Sequence, residues 1–77
     1  MEKIIAQLKS KYSTQIKKID KIDKTEISIY LNDGVNAADF SQDLQNHLIE
    51  IIDEFTILQV NIVDSKGDVK DQFASNQ

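Results

Sequence analysis

The spacing of the apolar residues alternates between two periods along this 77-residue chain, and that alternation constrains the fold more than any other feature. Over residues 2–12 and 37–55, apolar side chains recur every three to four positions, which is typical of an amphipathic helix. Over residues 25–31 and 56–63 they recur at every second position, which is typical of a strand with one buried face. The pattern predicts helices and strands in one α+β domain.

Each predicted helix has one apolar face. In the first helix this face holds Ile4, Ile5, Leu8 and Tyr12. In the second it holds Phe40, Leu44, Leu48, Ile51, Ile52 and Phe55. Asn36 is a natural N-cap for the second helix, and Asp39 lies three residues later, near the positive end of the helix dipole.

The two predicted strands each divide into an inner and an outer set of side chains. The inner residues are Ile27, Ile29 and Leu31 in one strand, and Leu58, Val60 and Ile62 in the other. The outer residues are Glu26, Ser28 and Tyr30, and then Ile57, Gln59, Asn61 and Val63. Gly34 ends the first strand with a residue free to adopt a positive φ. Residues 64–67, Asp-Ser-Lys-Gly, have the order of a type I turn followed by a left-handed glycine.

Residues 13–24 fit two interpretations. Ile16, Ile19 and Ile22 continue the apolar arc of the first helix, so residues 2–23 could form one long helix. Ser13 and Thr14 weaken a helix at this point, however, and Asp23 with Lys24 lies where a hairpin turn would. We favour a strand, although Ile16 and Ile19 then share a face only if a bulge separates them.

We therefore predict a two-layer α+β fold, with two helices on one face of a three- or four-stranded, mainly antiparallel sheet. The expected order is α-β-β-α-β, with a last strand or a single helical turn around Val69 and Phe73. The long-helix alternative gives α-β-α-β instead, again with a possible last strand. Residues 1–73 are expected to form one domain, and residues 74–77 a frayed tail.

The composition excludes several classes of protein. Ile, Leu, Val and Phe account for 24 of the 77 residues, which is too many for a disordered chain. No apolar run approaches the roughly 20 residues that span a bilayer, and the first residues lack the apolar core of a secretion signal. The absence of Cys fits the cytoplasm, and the use of Lys without Arg, together with abundant Ile, suggests a bacterial or phage gene.

The residues that carry chemistry are few. His47, with Asp43 and Glu50 nearby on the same helix, is the only imidazole, and a structural zinc site needs four ligands. Asp53 and Glu54 are adjacent, so their carboxylates do not face each other. There is no Cys, and two glycines cannot build a loop that cradles phosphate. We expect no catalytic residue, no cofactor and no metal.

Charge is unevenly distributed along the chain. Residues 1–24 hold seven Lys and three acids, a balance of +4, and residues 25–77 hold two Lys and ten acids, a balance of −8. The basic segment suggests nucleic-acid binding as an alternative function, with phosphate contacts from Lys9, Lys11, Lys17, Lys18 and Lys21. Arg, the usual reader of base edges, is missing, so we rank this function second.

The first expectation for function is a non-catalytic protein-interaction module, such as an adaptor, regulator or inhibitor of unidentified partner. A chain this small has a marginal core and no disulfide, so self-association is a natural source of stability. Tyr30, Ile57 and Val63 are the expected contact residues, because apolar groups on an outer sheet face are what an interface uses.

Overall fold

The structure, a computed structural model, describes residues 1–52 and 56–75. Within these ranges the elements are α1 (Glu2–Lys11), β1 (Ile16–Asp23), β2 (Glu26–Leu31), α2 (Ala37–His47), a 3-10 turn (Leu48–Glu50), β3 (Gln59–Val63) and β4 (Val69–Ala74). The α+β class is confirmed, and the element order is α-β-β-α-β-β. The last strand forms, so the alternative of a helical turn around Val69 and Phe73 is wrong.

The four strands form one sheet in the order β1-β2-β3-β4. β1 pairs with β2, and β3 with β4, in antiparallel fashion, whereas β2 and β3 are parallel. The sheet is therefore mixed. The parallel pair follows from α2, because the chain passes through this helix between β2 and β3 and returns in the same direction.

β1 resolves the ambiguity of residues 13–24 in favour of a strand, and the single helix over residues 2–23 is wrong. A register shift lies between Ile16 and Lys18, so Ile16 pairs with Leu31 and Ile19 with Ile29. This bulge supplies the extra residue that strand alternation needs to direct both isoleucines to the core side.

The hydrophobic core draws on both helices and all four strands. From the strands and the residues next to them it takes the inner sets of the sequence pattern together with Ile16 and Phe73. From the helical segments and the residues next to them it takes, among others, Leu8, Tyr12, Phe40, Leu44 and Leu48. Tyr12 and Phe40 meet edge to face, with ring centroids 4.9 Å apart. Such a pair adds about 0.5–1.5 kcal/mol beyond its burial.

Two polar contacts hold α2 to the rest of the molecule. The Tyr12 hydroxyl donates to Asp43 Oδ2 at 2.8 Å, and burial, with this bond and the carboxylate charge, raises the pKa of Tyr12 well above its ordinary value. The buried Ser41 hydroxyl donates to Asp71 of β4 and accepts from the Gln45 amide. Both contacts join residues about thirty positions apart, so they fix tertiary packing rather than local structure.

The second helix is shorter than the predicted 37–55. It ends at His47, and the 3-10 turn follows, with Ile51 N–H bonded to the Leu48 carbonyl. Ile49, Ile51 and Ile52 are β-branched, which lowers helix propensity. Residues 53–55, which include Asp53, Glu54 and Phe55, lie outside the described residues.

The third strand begins at Gln59 rather than at residue 56. The Leu58 N–H donates to the Ser75 hydroxyl, which itself donates to the Thr56 carbonyl, so a side chain takes part in the bonding of this segment. Ala74, placed in the tail by the sequence, is the last residue of β4, and Ser75 N–H bonds to the Leu58 carbonyl. Residues 76–77 of that tail lie outside the described residues.

The predicted cap and turns are confirmed. The Asn36 side chain accepts from Asp39 N–H at 3.0 Å, as expected of an N-cap. Gly34 and Gly67 have φ values of 86° and 92°, a backbone region that residues other than glycine rarely adopt.

The difference in burial predicts different losses of stability when two isoleucines on neighbouring strands are replaced by alanine. Ile29 is fully buried on β2, whereas Ile22 on β1 is 54% exposed. Ile29→Ala should lower the free energy of unfolding by about 2–5 kcal/mol, because it leaves a cavity. Ile22→Ala should lower it by less than about 1 kcal/mol. Urea unfolding followed by circular dichroism measures both, and equal effects would contradict this description of the core.

Candidate interaction surface on the sheet

The side of the sheet opposite the core is here called the outer face. Strand pairing arranges its residues in three rows that cross all four strands. One row runs Lys18, Tyr30, Val63 and Val69; the next Asp20, Ser28, Asn61 and Gln72; the third Asp23, Glu26, Gln59 and Ala74. Side chains opposite each other in a ladder lie on the same face and are near neighbours.

The first row is apolar over three strands. Tyr30 is half-buried, Val63 is buried, and Val69 is 56% exposed. The Lys18 ammonium lies 4.5 Å from the centroid of the Tyr30 ring and 3.5 Å from Asp20 Oδ2. We call Tyr30, Val63 and Val69 the apolar row.

The second row is polar and bonded internally. The Asn61 amide donates to Glu26 Oε2 at 2.8 Å and to Ser28 Oγ at 3.2 Å, and it accepts from the Gln72 amide at 3.1 Å. Ser28 and Asn61 are buried even though they lie on the outer face. Across residues 1–52 and 56–75, no buried side-chain nitrogen or oxygen lacks a hydrogen-bond partner.

The structure brings two of the three predicted contact residues together. Tyr30 and Val63 are Cα partners in the parallel pair. Ile57 is 57% exposed but precedes β3, six residues and about 20 Å along the chain from Val63. Val63 itself is 3% exposed, so its side chain is shielded by its neighbours rather than open as the alternation suggested.

Val69 is the member of the apolar row that the sequence did not identify as a contact residue. A register shift between Ile62 and Val63 pairs Ile62 with Asp71 and Val63 with Val69, so that Lys70 is the extra residue. Without this bulge, Lys70 would lie opposite Val63. No local sequence signal places the bulge, because it arises from the pairing of β3 with β4.

The lysines of the alternative function are exposed but dispersed. Lys9 and Lys11 lie on α1, and Lys17, Lys18 and Lys21 lie on β1. Lys18 pairs with Tyr30 on the outer face and Lys21 with Ile27 on the core face. Strand alternation therefore divides the lysines of β1 between two sides of the sheet.

His47 makes a local contact at the end of α2. Its Nδ1 lies 2.8 Å from the Asp43 carbonyl oxygen and 3.6 Å from Asp43 Oδ1. In the described part of the chain, no three His, Cys, Asp or Glu side chains cluster closely enough to hold a metal ion.

Two open clefts lie beside the N-terminus of α2. The larger, about 440 Å³, is lined by Gln15, Val35, Asn36, Asp39, Phe40 and Asp43, and the smaller, about 380 Å³, shares Val35 and Asn36. Carboxylates and amides dominate their polar lining. The asparagine that caps the helix occupies the position an anion would take.

The turn that follows Val63 is organised by Asp64. Its carboxylate accepts from the backbone N–H groups of Asp68 and Lys66, both at 2.9 Å, and Lys70 Nζ lies 3.7 Å away. The bond from Asp68, then the bond from Lys66 and the charges of Lys70 and Lys66, hold the pKa of Asp64 below its ordinary value. This turn presents Val69 beside Val63.

Comparison of the chain with known protein families, with curated proteins and with solved structures finds no match. Neither helix in the described ranges has the length and apolar character needed to cross a bilayer.

The lowered pKa of Asp64 predicts a pH-dependent contribution to stability. A group whose pKa falls on folding stabilises the fold above its unfolded pKa, and this stabilisation is lost as the pH falls through the folded value. Asp64→Asn should lower the melting temperature at about pH 7, and the difference from the wild type should narrow below about pH 4. A constant difference across this range, measured by thermal melts, would show that the charge of Asp64 has no role.

Proposed function

We propose that this protein is a non-catalytic protein-interaction module, acting as an adaptor, regulator or inhibitor, and that its docking surface is the outer face of the sheet. The observation that carries the proposal is the apolar row, in which Tyr30, Val63 and Val69 lie side by side across three strands. Aromatic and aliphatic groups next to satisfied polar groups are typical of binding surfaces. The composition supports a cytoplasmic setting in a bacterium or a phage-infected cell.

The proposal includes a two-layer arrangement with α1 and α2 on the core side of the sheet. Its support is the membership of the core: the buried strand residues Ile27, Ile29, Val60 and Ile62 belong to one inner set, and helical residues such as Leu44 join the same cluster. Helices packed there would leave the outer face available to a partner.

The edges of the sheet are less suited to docking than its face. β1 carries Lys17, Lys18 and Lys21 and has two register shifts, and β4 carries Lys70 at its own shift. Lysines and bulges on an edge strand discourage another strand from pairing there. A partner is therefore accommodated more easily on the outer face of the sheet than at its edges.

The polar row lowers the cost of covering the outer face. Burying a polar group is expensive when its hydrogen bonds to water are not replaced. Asn61 already bonds to Glu26, Ser28 and Gln72, so a partner that covers this row displaces little water from it. The exposed parts of Tyr30 and Val69 beside it can then be buried against a partner.

Nucleic-acid binding is the second candidate, and the exposure of the lysines on α1 and β1 favours it. Two observations weigh against it. Lys18 is engaged by Tyr30 and Asp20, and Lys18 and Lys21 lie on opposite sides of the sheet. A phosphate backbone requires cations along one continuous path.

The interaction function predicts a partner that depends on the apolar row. The tagged chain, used to capture proteins from its source organism, should retain a stoichiometric partner that Val69→Glu loses, because a charge would be buried in the interface. Ile57→Glu is the matched control, since Ile57 and Val69 are equally exposed and Ile57 lies outside the row. Equal retention by both variants, with folding checked by circular dichroism, would contradict the proposed surface.

The nucleic-acid alternative is tested by titrating labelled oligonucleotides at several salt concentrations. Our proposal predicts no retention even at low salt. Retention that falls steeply as salt rises, and that Lys17→Glu with Lys18→Glu abolishes while Asp20→Asn preserves it, would replace our first choice by the second.

A further inference from the structure

We propose that the outer face binds a basic amphipathic helix of a partner protein. The Lys or Arg side chains of this helix lie over Asp23 and Glu26, and an apolar side chain of the same helix lies over the apolar row. This inference rests on the proposed function, because it uses the same surface, and it adds the chemical class of the partner. It is carried by the sign and the position of the charges on the face.

The charged side chains of the outer face are mostly acidic. The three rows hold one cation, Lys18, and three anions, which are Asp20, Asp23 and Glu26, so the net charge of the face is 1 − 3 = −2. The Lys18 ammonium is already engaged by its own chain, because it lies 3.5 Å from Asp20 Oδ2 and 4.5 Å from the centroid of the Tyr30 ring. Lys18 and Asp20 balance each other, and the net negative charge therefore lies on the other two carboxylates.

Asp23 and Glu26, here called the acidic pair, are Cα partners at the end of the β1–β2 hairpin. Like charges directly opposite each other in a ladder lower stability. Both carboxylates are bonded, but to neutral donors: Asp23 accepts from the backbone N–H and the hydroxyl of Thr25, and Glu26 accepts from the Asn61 amide. In the described part of the chain no ion pair includes either carboxylate, even though Lys24 lies in the turn between them. A cation from a partner would offset the repulsion that the fold leaves in place.

The sign of this charge separates the classes of partner. An acidic face repels the phosphate backbone of a nucleic acid and the anionic headgroups of a membrane. It attracts a basic protein segment, and complementary charge both speeds the encounter and disfavours wrong partners. The outer face is therefore suited to a protein that carries Lys or Arg where it docks.

The apolar row supplies the anchor at the other end of the strands. Val69 is 56% exposed and Tyr30 is partly exposed, whereas Val63 is shielded and adds little to a contact. Lys18 stands at the β1 end of this row and repels the basic residues of a partner. An apolar side chain is thus accommodated beside Tyr30, and the basic side chains are directed toward the acidic pair.

The backbone of the sheet favours a helix as the partner segment. The N–H and C=O groups of the strands point toward neighbouring strands and leave none for a segment that lies on the face. Such a segment must satisfy its own backbone, which a helix does internally. Tyr30 and Glu26 are four residues apart on β2, a distance of about 13 Å. On a helix that lies along β2, an apolar and a basic residue about nine positions apart span this distance.

Fluorescence anisotropy with two designed peptides tests the chemistry of the partner. Each peptide is a labelled amphipathic helix of about 16 residues, with leucines in its first turns and, about nine positions later on the same face, either lysines or glutamates. The lysine peptide should bind the wild-type chain in the high micromolar range, and the glutamate peptide at least about tenfold more weakly. Absence of binding by the lysine peptide up to about 1 mM, or equal binding by both peptides, would overturn the proposal.

Neutralising the acidic pair tests the site. Asp23→Asn with Glu26→Gln removes both charges and keeps an oxygen acceptor on each side chain. The double variant should bind the lysine peptide at least about threefold more weakly. Its melting temperature should equal or exceed that of the wild type, because the repulsion between the carboxylates is gone. Glu2→Gln with Glu50→Gln, the same loss of charge at two exposed residues outside the sheet, is the matched control. Equal binding by both double variants would exclude the acidic pair as the site.

Removal of apolar surface tests the anchor. Val69→Ser should weaken binding of the lysine peptide about three- to tenfold, because less apolar area is buried in the contact. Ile57→Ser is its control, since Ile57 and Val69 are 57% and 56% exposed and only Val69 lies in the apolar row. An effect of the same size in both variants would remove the apolar row from the docking site.

The basic helix and the proposed function fail in distinguishable ways. A protein captured from the source organism in a Val69-dependent manner, but retained equally by Asp23→Asn with Glu26→Gln, overturns the basic helix and keeps the interaction module. Binding of the lysine peptide that depends on the acidic pair, with no protein captured by the wild type, keeps the chemistry of the face and removes the adaptor or inhibitor function.

Discussion

Burial of the inner side of β2 is the constraint on which the rest of the structure depends. Ile27, Ile29 and Leu31 are all fully buried, and β2 lies between β1 and β3 in the sheet. A chain of this size has little apolar surface to spare, and residues from both helices and from the other strands join these three in one hydrophobic cluster. The bulge in β1, for example, places Ile16 and Ile19 opposite Leu31 and Ile29.

Polar contacts then join α2 to the segments before and after it. The bond from Tyr12 to Asp43 links the end of α1 to α2, and the bond from Ser41 to Asp71 links α2 to β4. Hydrophobic burial is not directional, whereas these bonds are satisfied in one geometry only. They select a single packing from the several that the apolar stripes alone would allow.

The outer face is organised differently from the core. Its polar groups bond mainly to one another, and its apolar groups are gathered at one end by the register of the strands. A face organised in this way needs no partner to satisfy its polar atoms, yet it leaves Tyr30 and Val69 partly exposed. Under the function proposed above, this combination would suit a surface that associates and dissociates.

The sequence by itself determined the α+β class, β2, the N-cap at Asn36 and the positive φ of Gly34, because each depends on a local period or on the chemistry of one residue. The sequence also identified the inward-facing residues of β3. It led, as a hypothesis, to the outer face of the sheet as the functional surface. It placed Ile57 in the contact set and ended the chain's ordered part before Ala74, since alternation alone does not report where a strand begins or ends.

Only the tertiary structure decided the parallel pairing of β2 with β3, the register shift between β3 and β4 and the position of Val69. Each depends on how distant segments align, and a shift of one residue in that alignment moves a side chain to the other face. The Tyr12–Asp43 bond likewise joins residues 31 positions apart, and no local pattern encodes it. Local periodicity determines whether a segment forms a helix or a strand. The packing of all segments around one small core determines which side chains come into contact.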